Sequence, residues 1–245
     1  MTTFVVLTDA PADGETLETL TPEPLSDAEA TKLYTAMLAD VCETVQRGEG
    51  GVLINHPPAE QSAVENPERE LRDVFTDEVP EPGAIRYEPQ VGDSYAGRIG
   101  NSLTHLIESE GVETVAVLDP TTAMLRREHI GTAMMKLRSS EVVLGPTPDG
   151  GVYFAGFDDP VDFEDAYATP ALETLTERGL TADHDVDFLS MLPVVKEPTG
   201  LKTAVTLIRA RLSAGRLVPP RTAARIEEWG LRVDERGDIG RYTET

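Results

Sequence analysis

Three aspartates sit at or just after apolar runs: Asp9, Asp119 and Asp149. Asp149 lies within VVLGPTPDGGVYFAGF, from Val142 to Phe157. There an apolar run ends at Gly145-Pro146, a polar turn carries Asp149 beside Gly150-Gly151, and a second apolar run follows. A carboxylate flanked by glycines stands where backbone can closely approach a ligand. Asp-Gly is also the strongest short hairpin signal, so a plain turn is the alternative. Asp119 directly follows the apolar run Val115 to Leu118 and precedes Pro120. At a strand end it could hold Mg²⁺ or Mn²⁺ bridging a substrate diphosphate, because hard cations prefer oxygen ligands. Its alternative is the N-cap of the next helix. Arg98, in a helix entered through Gly92-Asp93, is of the type that grips a phosphate or pairs with a surface Glu.

The common phosphate and nucleophile signatures are absent from the 245 residues: there is no GxxxxGK[ST], no GxGxxG and no GxSxG. His56, His105, His129 and His184 share no HxxxH spacing. Cys42 is the only cysteine, which rules out an internal disulfide and a CxxC metal site; its helical context suits a small buried residue. The formal net charge is −23, and lysine occurs at four positions only, Lys32, Lys136, Lys196 and Lys202. No basic patch for nucleic acid is expected. Such self-repulsion is tolerated where salt screens it, which suggests a halophilic, haloarchaeal protein. No apolar stretch reaches the ~18 residues of a membrane span, and no signal-peptide pattern opens the chain, so a cytoplasmic location is expected.

Acids of this kind need a scaffold, and the periodicity supplies one. Short apolar runs at Phe4 to Leu7, Val52 to Ile54, Ile85 to Tyr87 and Val115 to Leu118 read as strands. Between them, Ser26 and Glu29 form a capping box before a helix that Gly48 stops. Further helices are expected around Glu65 to Phe75, after Asp93 or Ser94, around Arg126 to Leu137, after Thr169-Pro170, and from Leu201 to Leu212. Val186 to Leu192 reads as extended. Pro219 to Thr245 should hold one helix bearing Trp229 and a last strand near Leu231 to Val233. Strands alternating with helices predict an α/β fold with a mostly parallel central sheet, residues 1–212, and a short extension, residues 213–245, packed on it. Such sheets bind ligands beyond the carboxyl ends of their strands.

Four segments, in order, resemble a poorly characterised group of glycosyltransferase-A-like proteins related to phospholactate guanylyltransferase and the molybdenum-cofactor guanylyltransferases. They are FVVLTDAPADGETLETL from Phe4, LSDAEATKLYTAMLADV from Leu25, QVGDSYAGRIGNSL from Gln90, and VVLGPTPDGGVYFAGF. The likeness runs from Phe4 to Leu207. It implies a single-domain, Rossmann-like nucleotide-diphospho-sugar transferase fold. It also implies a nucleotide held by Thr8, Ala10, Pro11 and Gly14, with Asp93 and Arg98 nearby, and a divalent metal, Mg or Mn, on Asp119. Asp149 would act catalytically or orient the acceptor, with Gly150 and Gly151 beside the substrate.

The departures bear on activity. Where the group has a Lys-Thr-Arg-Leu segment, residues 16–20 read TLETL, and Glu15 and Glu18 would repel a polyphosphate. Where it has Asp-x-Asp-Thr-Pro-Glu-Asp-Leu, residues 194–201 read VVKEPTGL. Lys196 there either supplies part of a metal's charge or marks an incomplete two-carboxylate site. Two functions follow as expectations. One is a metal-assisted glycosyl or nucleotidyl transferase using a nucleotide or nucleotide-sugar. The other is a non-catalytic relative serving as a binding or regulatory module. A homodimer stays open.

Overall fold

The computed structural model describes residues 2–76 and 78–242. The chain runs β1 (Thr2–Leu7), α1 (Asp27–Arg47), β2 (Gly51–His56), α2 (Pro67–Phe75), β3 (Arg86–Pro89), α3 (Tyr95–Thr104), β4 (Thr114–Leu118), α4 (Arg127–Lys136), β5 (Val142–Pro146), β6 (Val152–Phe157), α5 (Ala171–Thr181), β7 (Val186–Phe188), α6 (Pro198–Ser213), α7 (Pro220–Glu228), β8 (Leu231–Val233) and β9 (Ile239–Arg241). Among the described residues, seven strands form one sheet in the order β3-β2-β1-β4-β6-β5-β7. Only β6 runs against its neighbours; the other pairings are parallel. This is the mostly parallel α/β sheet that the alternation of runs predicts.

The side-chain period of two splits each strand between two cores. Phe4 and Val6 face one side with α1, α4, α6 and α7. Val5 and Leu7 face the other, with Ile99 and Leu103 of α3 and Leu175 of α5. Burial on both faces explains why the central strands are continuous apolar runs. Cys42 is fully buried on α1, and burial pushes its thiol well above the usual range, the inert small residue that its helix context suggests.

The register also sets one working edge. Val5 of β1 lies beside Val117 of β4, so the chain leaves both strands at the same end. Because β6 is antiparallel, β5 points the same way as β4, and its hairpin turn opens at that end too. β7 is parallel to β5, so the segment after Phe188 emerges there as well. Within the extended segment Val186 to Leu192, the strand itself covers Val186–Phe188. Pairing stops at Phe188 because β5 ends at Pro146, which has no N–H to donate; Leu189 N and Leu192 N still donate to Leu144 O and Pro146 O.

Two further features are local. Ser94, rather than Asp93, caps α3, its hydroxyl accepting from Gly97 N at 3.0 Å. The last strand pairs with β9 in a separate hairpin, closed by Asp234 Oδ1 accepting from Arg236 N and Asp238 N. Residues after 212 share the main core through Ala223, Ile226 and Leu231.

The capping box of α1 carries a testable consequence. Ser26 N donates to Glu29 Oε2 at 2.9 Å, and Arg241 grips both Glu29 oxygens at 2.6 and 2.7 Å. The Arg241 hydrogen bonds hold the Glu29 carboxyl down at about 2, against an ordinary 4.5. A depressed carboxyl stabilises the fold above its unfolded pKa and loses that contribution as pH falls through its folded value. Glu29→Gln should therefore cost about 1 kcal/mol near neutral pH, the upper end for an exposed but bidentate pair. The gap to wild type should close between pH 4.5 and about 2. Parallel acid titrations of the two proteins by circular dichroism check this; a gap independent of pH contradicts it.

Candidate functional site

The turn after β5 has the hairpin geometry that the Asp-Gly pair signals. Thr147 N donates to Gly151 O at 2.9 Å and Gly150 N to Thr147 O at 3.2 Å. Gly150 has φ +82°, which L side chains rarely adopt, and a Cβ on Gly151 would lie 2.8 Å from Thr147 Oγ1. These glycines serve the turn that carries Asp149. The Asp149 carboxylate accepts from the Thr147 hydroxyl, which lowers its pKa, and from Gly151 N at 3.4 Å.

Asp119 is 6% exposed. It does not cap a helix: α4 begins at Arg127, and Arg126 holds the N-cap position. Instead Asp119 Oδ1 accepts from Thr121 N at 2.8 Å and Thr121 Oγ1 at 2.6 Å, while Oδ2 forms an ion pair with Lys196 Nζ. Asp119 N donates to Tyr153 O at 2.9 Å, fixing the residue against β6.

Three contacts hold the backbone of residues 194–196. Val195 N donates to Thr121 O at 3.0 Å. The Thr19 hydroxyl donates to Lys196 O, tying the loop after β1 to the same segment. Gly200, in the first turn of α6, lets the Val194 carbonyl come in where a Cβ would stand 2.0 Å from it. The Lys196 side chain remains 56% exposed, and the Asp119 charge raises its pKa well above the usual range.

Two clefts meet at this lysine. The first, about 250 Å³, opens beyond β1 and β4 and is lined by Asp9, Glu15, Glu18, Tyr34, Tyr95, Asp119 and Lys196 among others. The second, about 280 Å³, lies between the hairpin turn and the start of α6, with Asp149, Val194, Lys196, Thr199, Gly200 and Thr203 in its wall. Asp119 and Asp149 thus lie on the same sheet edge, and Lys196 is the residue common to their clefts.

The other expected site residues are placed as follows. Thr8 is buried and bonded to the hydroxyl of Tyr34, itself in the wall of the first cleft, and Ala10 is 2% exposed. Pro11 and Gly14 lie on the same loop away from the lining; Asp9 and residues 15–19 of that loop face it instead. Asp93 and Arg98 line neither cleft, and Arg98 Nε is buried without a hydrogen-bond partner. Tyr95, one residue past the α3 cap, does line the first cleft and is 42% exposed. Tyr34, Tyr95 and Lys196 are the side chains that residue pattern alone did not assign to the site. Of these only Lys196 carried a signal, a cation in a strongly acidic chain at a position where acids were expected.

The donor set around Asp119 does not fit a divalent cation. Both carboxylate oxygens are engaged, one by an ammonium, and no group of three or more His, Cys, Asp or Glu side chains that could hold an ion occurs among the described residues. A hard cation takes six or more oxygen ligands.

The chain has the Rossmann-like fold of the nucleotide-diphospho-sugar transferases. The likeness to solved structures is the basis. A protein from Desulfovibrio desulfuricans G20, provisionally assigned as a nucleotide-diphospho-sugar transferase, superposes with a TM-score of 0.74 at 19% identity, covering 93% of this chain and 94% of that one. A 4-diphosphocytidyl-2C-methyl-D-erythritol synthase gives 0.51 at 10% identity, over 84% and 97%. At these identities the likeness is one of fold. Residues 52–168 match a family model described as an uncharacterized protein conserved in bacteria (DUF2064). No curated protein matches. No helix among the described residues is long and apolar enough to cross a membrane.

Proposed function

We propose that this chain binds a nucleotide or nucleotide-sugar across the edge between β1 and β4 and transfers a glycosyl or nucleotidyl group. The observation that carries the reading is the Asp119–Lys196 pair, set in a cleft at the carboxyl ends of parallel strands in a fold shared with such transferases. Tyr95 and Tyr34 offer ring surface in the same cleft, and Tyr95 its hydroxyl. Lys196 offers charge to a phosphate, and Asp149, kept ionised by Thr147, faces the neighbouring cleft from which an acceptor hydroxyl would approach.

A second reading, a binding module without catalysis, is favoured by Glu15 and Glu18. Both line the cleft where phosphate-gripping cations would be useful. Molar salt screens that repulsion to within a few ångströms.

Thermal unfolding at high salt with a panel of nucleotides and nucleotide-sugars tests the binding that both readings share. A ligand at a hundred times its Kd should raise Tm by about 5–10 °C for a chain of this size. Asp119→Ala should abolish the shift. A well-folded protein that shifts with no member of the panel contradicts the proposal. Turnover of a bound donor separates transferase from binding module.

A further inference from the structure

We propose that the Lys196 ammonium stands in for the divalent cation of a metal-assisted transfer site, so that the chain binds and neutralises ligand phosphate without a metal. The inference rests on the nucleotide reading above and deepens it. A divalent ion in such a site does two things: it bridges a protein carboxylate to the phosphate, and it offsets charge that builds on the leaving group. Lys196 is arranged to do both. Its Nζ is already paired with Asp119 Oδ2, and an ammonium has three donors, so the others are free to reach a ligand oxygen. Its side chain is 56% exposed and borders both clefts, so the charge faces the cleft mouth.

Its position is built rather than incidental. Thr19 after β1, Thr121 after β4 and Gly200 of α6 each fix the backbone around it. Thr121 occupies Asp119 Oδ1 with two donors, and the ammonium stands on Oδ2, the oxygen an ion would need. An entering dication would have to displace Lys196 and then face its repulsion at close range. One carboxylate with one ammonium is, besides, a neutral pair, a sensible core for a cleft whose mouth already carries Asp9, Glu15 and Glu18.

The test is calorimetric titration of the folded chain at high salt with UDP, GDP, CDP and UDP-glucose, in excess EDTA and again with Mn²⁺. Wild type should bind its best probe with affinities that agree within about threefold in the two conditions, while Lys196→Met should lose about tenfold or more in EDTA, the worth of one charge-assisted hydrogen bond. Lys196→Arg, which keeps the charge, should bind in EDTA. Circular dichroism and Tm of each variant show that the fold is kept, as expected for a half-exposed side chain. Wild-type binding that needs Mn²⁺ overturns the inference and leaves the nucleotide reading standing. So does Lys196→Met binding like wild type in EDTA. Stoichiometric Mn²⁺ binding to the free protein that Asp119→Asn abolishes, seen by electron paramagnetic resonance, overturns it also. Absence of binding by every probe in both conditions overturns the nucleotide reading, and this inference with it.

Discussion

Asp40→Ala is expected to destabilise the protein by about 3 kcal/mol, by far more than a typical surface change. Asp40 lies on α1, 4% exposed, yet its oxygens serve α7. It accepts from Thr222 N and Thr222 Oγ1, both at 2.8 Å, and from Arg221 N and Nη1 at 3.2 and 3.0 Å. These are donors of the first turn of α7, so one helix supplies the N-cap of another. Burial lifts the Asp40 carboxyl above its usual range despite these donors, which means that the charge is costly and held only by its partners. Breaking a buried pair ordinarily costs about 3–5 kcal/mol. The lower end applies because Arg221 keeps Glu43 and Glu78, whereas the Thr222 groups are left bare. Urea unfolding at fixed molar salt should show the lower midpoint. A loss under about 1 kcal/mol would mean that α7 docks by its apolar face alone.

Gly200→Ala should be costly too, about 2–3 kcal/mol, and should also weaken ligand binding. A helical glycine normally gains about 0.5–1 kcal/mol on replacement by alanine. Gly200 is the exception because the new Cβ would stand 2.0 Å from the Val194 carbonyl oxygen, which is backbone and cannot turn aside. Either the first turn of α6 or residues 194–196 must move, and the second shift carries Lys196 away from Asp119. Gly131→Ala is the control. That glycine lies inside α4 with nothing within 4 Å of an added Cβ, so it should be neutral or stabilising. Equal effects at the two positions would contradict the account of Gly200.

Local chemistry made much of the fold legible. The Ser26–Glu29 capping box, the spacing through Val45 and the stop at Gly48 mark α1 to within a residue, because caps and periodicity act over a few positions. Asp119 at the end of a buried run follows from strand length alone. The hairpin and the ligand-facing readings of Asp149 share one sequence, and the structure shows the hairpin's bonds with the carboxylate beside a cleft. What stays hidden depends on distant chain meeting. Lys196 reaches Asp119 only because β7 leaves the same edge as β4, and Asp40 caps a helix far along the chain. The Thr8–Tyr34 hydroxyl contact likewise joins the loop after β1 to α1, 26 residues on.

The central claim is that ligand phosphate meets Lys196 where Asp119 holds it. A crystal structure with the probe giving the largest thermal shift tests this most directly. The account predicts a phosphate oxygen within about 3 Å of Lys196 Nζ, with the rest of the ligand beside Tyr95. A ligand seated instead in the roughly 450 Å³ cleft between α1 and α7, beside Arg221 and Arg225, with Lys196 untouched, would contradict it.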